Sequence, residues 1–137
     1  MIRVIIDTNV LVSAMITSSG NEALVVMAIN AGLVTPCFSA EIIEEYSDVL
    51  RRPKFRFSAD EISALLALLR QRGNFFAPAP ISRTSPDPED DKFIACALVS
   101  HADFIVTGNK RHFLEGKYAS AKIVNSGELL ELITLEL

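Results

Sequence analysis

The chain opens with Val4-Ile5-Ile6-Asp7-Thr8-Asn9, an apolar run that breaks off into a carboxylate, a hydroxyl and an amide. Val, Ile and Ile in succession suit a strand buried on both faces, as in the interior of a parallel sheet. Ligands of such sheets bind beyond the carboxyl ends of the strands. Asp7 falls there, with Thr8 and Asn9 as supporting polar groups. A second acidic group, Asp87-Pro88-Glu89-Asp90-Asp91, opens a predicted helix. A structural role accounts for it about as well, with Asp87 as N-cap, Pro88 at the first helical position and Asp90 completing a capping box. The spacing adds a further expectation. Asp87, Asp90 and Asp91 stand at i, i+3 and i+4, on the wheel face of Ile94, Ala97 and Leu98, so they are expected to face the core.

A third acid comes from the helix that begins after Ser39. Ile42, Ile43, Tyr46, Val49 and Leu50 mark its inner face. Of its acids Glu41, Glu44, Glu45 and Asp48, Glu45 lies nearest that face, while Glu44 and Asp48 lie nearly opposite. Asn109 follows Val106-Thr107-Gly108, again past the end of a predicted strand, where a turn residue or helix cap is the structural alternative. The expected fold brings Asp7, the Asp87 to Asp91 group and Asn109 to one edge of the sheet, with Glu45 reaching inward.

Such a gathering has a cost. Two carboxylates about 5 Å apart repel by roughly 3 kcal/mol at an effective dielectric near 20. Protons or a hard divalent cation must relieve several such pairs, and a site of Asp, Glu and Asn oxygens suits Mg²⁺ or Mn²⁺ and not zinc. A carboxylate-held cation of this kind activates water and stabilises a phosphate oxyanion, which is the chemistry of phosphodiester hydrolysis. Asp7 and Asp90 are the expected main metal ligands. The densest basic run, Arg51-Arg52-Pro53-Lys54-Phe55-Arg56, and Lys110-Arg111-His112 beside Asn109 could meet backbone phosphates. For the first run, an exposed helix end favoured by the helix dipole is an equally simple account.

The elements that must position these groups alternate along the chain. Predicted strands cover Val4 to Ile6, Leu33 to Phe38, Phe104 to Thr107 and Ile123-Val124, with a weaker one from Asn74 to Ala77. Predicted helices run from Glu22 to Ile29, with Gly32 as stop, and from Ser39 to about Arg52, where Pro53 breaks the helix. Others run from a capping box at Ser58 to Glu61 as far as Gly73, from Pro88 to about Ser100, and from Gly127 to Leu135. Pro78 to Pro88 reads as a Pro- and Ser-rich loop. The alternation implies an α/β fold: a three-layer α/β/α sandwich around a central, mostly parallel sheet of four or five strands.

At 137 residues the chain is a single domain, 1–137, without repeats or linkers. With 50% hydrophobic and 22% charged residues it is not disordered. The apolar run Leu129-Leu130-Glu131-Leu132-Ile133 suggests surface hidden in a dimer or under a partner. Seventeen acidic against 13 basic residues leave a net charge of −4, which excludes nucleic-acid binding by overall charge but not by a local patch or through cations. Cys37 and Cys96 are far apart in apolar settings and form no zinc set with His101 and His112. They are read as reduced core thiols of a cytoplasmic protein, and neither a signal peptide nor a membrane-spanning run is expected.

In order and spacing these segments resemble the PIN-domain family of metal-dependent ribonucleases. They are most like its branch of toxins from bacterial and archaeal toxin–antitoxin pairs, the VapC-like proteins. The carriers are Ile6-Asp7-Thr8-Asn9, Glu45-Tyr46 leading to Val49-Leu50-Arg51-Arg52-Pro53-Lys54-Phe55, Asp87-Pro88-Glu89-Asp90-Asp91-Lys92-Phe93, and Ala102-Asp103-Phe104-Ile105-Val106-Thr107-Gly108-Asn109. The resemblance puts the family's acids on Asp7, Glu45 and Asp90, with Asp87 as an extra acid usual in this branch and Asp91 as a further candidate. It implies endoribonuclease activity with Mg²⁺ or Mn²⁺, a homodimer, and neutralisation by a cognate antitoxin. Many members carry a fourth acid where this chain has Asn109, an amide that supplies no charge, which weakens the case for a second tightly held metal and leaves one metal or two open. That departure keeps a rival open, a PIN-fold protein that binds RNA or a protein partner without cutting. A phosphoacceptor signalling domain is disfavoured by the lone Asp7, and neither GxSxG nor GxGxxG is present.

Overall fold

Val4, Ile5 and Ile6 are all fully buried, and they form the middle of a six-stranded sheet. The computed structural model describes residues 1–78, 88–113 and 116–136. Within them the chain runs β1 (Ile2–Ile6), α1 (Thr8–Ile16), α2 (Asn21–Asn30), β2 (Val34–Phe38), α3 (Ala40–Leu50), α4 (Ala59–Arg72), β3 (Asn74–Phe75), α5 (Asp91–Ser100), β4 (Phe104–Val106), β5 (Lys117–Tyr118), β6 (Ala121–Val124) and α6 (Ser126–Glu136). Short 3₁₀ turns occupy Pro53–Phe55, Pro88–Asp90 and Lys110–His112.

The sheet order is β3-β2-β1-β4-β6-β5. All pairings are parallel except β5 with β6, a small hairpin that adds a strand to the four or five expected. From β1 the chain builds outward through β2 and β3, then returns to place β4 on the other side of β1. The crevice for a ligand therefore opens beyond the carboxyl ends of β1 and β4, where the strand order reverses. The helices pack around this sheet, giving the α/β/α architecture that the alternation predicts.

Local signals explain most boundaries. The Ser39 hydroxyl accepts from the Ile42 N–H, and Ser58 and Glu61 cap α4 reciprocally. Gly73 is forced by packing: a Cβ there would lie 2.3 Å from the Pro36 carbonyl oxygen and 2.8 Å from the Phe38 ring. Two regions differ from expectation. Residues 8–16 form α1, although the apolar pattern by itself assigns them no element. The predicted helix from Pro88 instead starts as a 3₁₀ turn and becomes α-helical only at Asp91. A 3₁₀ turn rotates faster per residue than an α-helix, so a wheel drawn through it misplaces side chains. Leu98, expected inside, is 38% exposed, and the buried side of α5 carries Phe93, Ile94, Cys96, Ala97 and Ser100.

The carboxyl-terminal apolar run is consumed within the molecule. Leu129 and Ile133 are buried, and α6 packs on α2. No single helix among the described residues is long and apolar enough to cross a membrane.

Candidate active site

Asp7 is the residue at which β1 ends and α1 begins. Its N–H continues the ladder to the Val106 carbonyl at 2.9 Å, and its side chain is turned inward, 5% exposed, instead of capping α1. The hydroxyl of Thr107, the first residue after β4, donates to Asp7 Oδ2 at 2.7 Å. Burial raises the Asp7 pKa above the ordinary carboxylate value. The Thr107 bond, a bond from the Thr8 N–H and the nearby His112 oppose that rise, while the charge of Glu45 reinforces it. A buried carboxylate with a raised pKa at a crevice makes Asp7 a candidate functional group.

Glu45 reaches the same space from α3. The helix wheel puts it beside the apolar face and puts Glu44 and Asp48 outside. The structure agrees: Ile42, Tyr46 and Leu50 are buried, Glu45 is half-buried, and Glu44 and Asp48 are exposed. Thr8 donates to Glu45 Oε2, and Lys92 of α5 donates to Oε1 at 2.7 Å. Lys92 also binds the Glu89 carbonyl oxygen at 2.6 Å. Burial works against the Lys92 ammonium, but hydrogen bonding and attraction to Glu45 and Glu89 outweigh it and hold its pKa above the usual lysine range. Next to Glu45, the Tyr46 hydroxyl donates to the Ile6 carbonyl oxygen and ties α3 to the end of β1. Burial, with Asp7 nearby, pushes that phenol far up, so it remains a neutral donor.

Asp90 closes the cluster. It is 7% exposed, in the 3₁₀ turn that leads into α5, and makes no side-chain cap. His112 Nδ1 lies 3.0 Å from Asp90 Oδ2, an ion-pair distance without hydrogen-bond geometry, and the Asn109 amide Nδ2 lies 3.1 Å from His112 Nε2. An amide nitrogen can only donate, so Nε2 is the acceptor of that contact. The Asn109 N–H donates in turn to the Thr107 hydroxyl oxygen at 3.0 Å, and its side-chain oxygen accepts from the Arg111 N–H. Hydrogen bonds thus run from Asp7 through Thr107 and Asn109 to His112, whose Nδ1 stands within ion-pair distance of Asp90.

Asp7, Glu45, Asp90 and Asn109 therefore meet at the β1–β4 crevice. Asp91, the first residue of α5, lines a cleft with Ala40, Phe76 and Ala77 that also reaches Lys92. Asp87 lies outside the described residues, as does most of the predicted Pro- and Ser-rich loop. Asn9 is exposed, two residues beyond Asp7, and borders a neighbouring cavity. Sequence reasoning missed Lys92 and gave His112 no place in the site. A lysine four residues before Cys96 on a helix with an apolar inner face could have been recognised as directed inward.

The donor set consists of carboxylate, hydroxyl and amide oxygens. Mg²⁺ is commonly held through one or two carboxylates with waters completing its shell. Buried Asp7 and Asp90 fit that requirement. Among the described residues no three His, Cys, Asp or Glu side chains converge tightly enough to enclose an ion.

A search of curated proteins finds no match to this chain. The sequence model of the PIN domain matches residues 3–111, from β1 to the turn after β4, and so takes in Asp7, Glu45, Asp90 and Asn109. With most of its length in that match, and with the parallel sheet and clustered acids described above, the chain belongs to the PIN-domain family.

Proposed function

We propose that this protein is a Mg²⁺- or Mn²⁺-dependent endoribonuclease that hydrolyses RNA phosphodiester bonds, and that it serves as the toxin of a toxin–antitoxin pair. PIN domains are generally nucleases and usually use divalent metals, which sets the reaction class. The observation that carries the reading is the burial of Asp7 and Asp90 at the ends of different elements, both within reach of the Thr107, Asn109 and His112 group at the crevice.

Asp7 and Asp90 would hold the metal, which when bound activates water and offsets charge on the phosphate. Thr107 and His112 fix the orientation of these two carboxylates, in the manner of groups that support metal ligands. Glu45, clamped by Thr8 and Lys92, presents a half-exposed carboxylate that orients water entering from solvent. Arg111, exposed in the turn after Asn109, offers a positive charge to the RNA backbone. Arg52 lines a shallow cleft that reaches Glu45 and Lys92 and offers a second phosphate contact.

The toxin role is supported by the order of the Asp7, Glu45, Asp90 and Asn109 segments. A homodimer is supported by Leu24 and Met27, exposed at 43% and 61% on α2. The test is incubation of the purified protein with structured and unstructured RNAs in Mg²⁺, Mn²⁺ or EDTA. Growth arrest on expression, relieved by the product of an adjacent small reading frame, tests the antitoxin.

One observation favours a second reading, an RNA-binding PIN protein without cutting activity. Lys92 already neutralises Glu45, and Asn109 brings no charge. RNA retention with no cleavage in either metal would establish it.

A further inference from the structure

A cavity of about 470 Å³ opens beside the acid cluster, between the start of α1, the start of α2 and the start of α6. Two of its lining residues, Asn9 and Gly108, are two and one residues along the chain from Asp7 and Thr107, the pair joined at 2.7 Å. The cavity is therefore the space next to the reacting phosphate, and the following argument rests on the ribonuclease reading above.

Its walls mix polar side chains with Val10 and two glycines and contain no basic side chain. Asn9 and Asn21 bring amides, Ser126 brings a hydroxyl, and Asn125 brings the N–H donors of an amide whose oxygen already accepts from the Glu128 N–H at 2.8 Å. Ser126 is only 4% exposed and borders the cavity, so a group seated there can reach its hydroxyl where bulk water has little access. Gly127 keeps the space open on this side: a Cβ there would lie 3.2 Å from the Asn21 amide nitrogen. The carboxylates of Glu22 and Glu131 belong to the same lining. Glu128 is already engaged, by the Asn125 N–H at 2.9 Å and by Lys110 at 2.6 Å.

A phosphate is excluded by this lining, since carboxylates repel it and no cation lines the cavity to compensate. A flat, neutral group with several N–H donors fits better. Carboxylate and amide oxygens accept from such an edge, while the amide and hydroxyl hydrogens meet its ring nitrogens and carbonyls. Nucleobases of single-stranded RNA are read in this way, by hydrogen bonds to splayed-out edges.

We propose that this cavity receives the base of the nucleotide adjoining the scissile phosphate and selects bases that carry an exocyclic amino group. Glu22 and Glu131 accept from the amino group, and Asn21, Asn125 and Ser126 bind the rest of the edge. Uracil, with a single ring N–H between two carbonyls, presents acceptors to the carboxylates and is the disfavoured base.

Two measurements test this separately from the ribonuclease reading. In the first, side-chain amide resonances of the ¹⁵N-labelled protein are followed while each of the four ribonucleosides is added without metal. Asn21 and Asn125 should shift with guanosine, adenosine or cytidine and at least threefold less with uridine. Equal responses to all four, or none, overturn the proposal. In the second, cleavage sites are mapped on a randomised single-stranded RNA for wild type, Glu131→Gln, Glu22→Gln and Asn21→Ala. These variants should relax the discrimination against uracil beside the cut severalfold, mainly by lowering the rate on bases that carry the amino group. An unchanged site preference overturns the base pocket while leaving the ribonuclease standing. Nucleoside binding at Asn21 and Asn125 without any RNA cleavage supports the pocket and refutes the ribonuclease.

Discussion

Lys92 on α5 and Glu45 on α3 form an ion pair of 2.7 Å at the mouth of the acid cluster, with side chains only 13% and 21% exposed. The pair joins two helices that no local signal brings together, and it supplies the cation nearest to Glu45. Removing the ammonium would leave Glu45 next to buried Asp7 with its repulsion uncompensated. Lys92→Met should therefore destabilise the metal-free protein by about 1–2 kcal/mol, a figure reduced for the partial exposure of the pair. Denaturant melts in EDTA and in Mn²⁺ check this, and the loss should shrink when metal is present.

The acids should separate by function. Asp7→Asn and Asp90→Asn should each abolish RNA cleavage while keeping the circular dichroism of the wild type. Glu45→Gln should lose most activity and Glu44→Gln almost none, since only Glu45 is turned toward the site. Near wild-type cleavage by the Asp7 or Asp90 variant would remove that residue from the catalytic set.

Burial gives Asp7 a pKa above its unfolded value. The folded protein then holds this proton more tightly than the unfolded chain does. The stability it contributes is complete below the unfolded pKa and is lost as pH rises through the folded one. Each tenfold difference in proton affinity between the two states is worth about 1.4 kcal/mol. In EDTA, Asp7→Asn should thus gain in melting temperature over wild type from pH 4 to pH 7. A difference that stays flat across that range would contradict the buried, raised carboxylate.

Metal should reverse the balance. A ligand that binds only the folded state stabilises it by about 2.7 kcal/mol at a hundredfold excess over its dissociation constant. Mg²⁺ or Mn²⁺ should raise the wild-type melting temperature, and Asp90→Asn should blunt that response while stabilising the metal-free form. Asn109→Asp replaces the amide donor facing His112 Nε2 with an acceptor and adds charge. It should lower metal-free stability and enlarge the metal response. Differential scanning fluorimetry of the three proteins in EDTA and Mn²⁺ tests all three effects together.

The thiols offer a check on the core. Burial pushes the Cys96 thiol up to about 12 and raises Cys37 as well. Neither should react with a thiol reagent in the native state at pH 8 except through unfolding, so labelling should follow the rate of global opening. Fast labelling of native protein would mean that α5 opens locally.

Much of this protein is legible in its sequence, because the signals involved are local. Val4-Ile5-Ile6 shows a central parallel strand by its unbroken apolar run, Ser58 and Glu61 mark a helix start, and the 3.6-residue period on α3 separates Glu45 from Glu44. Asp7 and Asn109 stand out for the same reason, as polar residues at the ends of β-branched runs. The tertiary structure decides what depends on distant partners. Asp7 is held by Thr107, a hundred residues away, and Glu45 by Lys92, 47 residues away. His112 and Asp90 pair across a turn and a helix start that share no sequence pattern. A 3₁₀ turn from Pro88 to Asp90 precedes α5 and leaves Asp90 buried, which no local propensity announces. Leu129 and Ile133 suggest an interface by composition, yet α2 lies against α6, and only the folded chain shows which apolar surface has already found its cover.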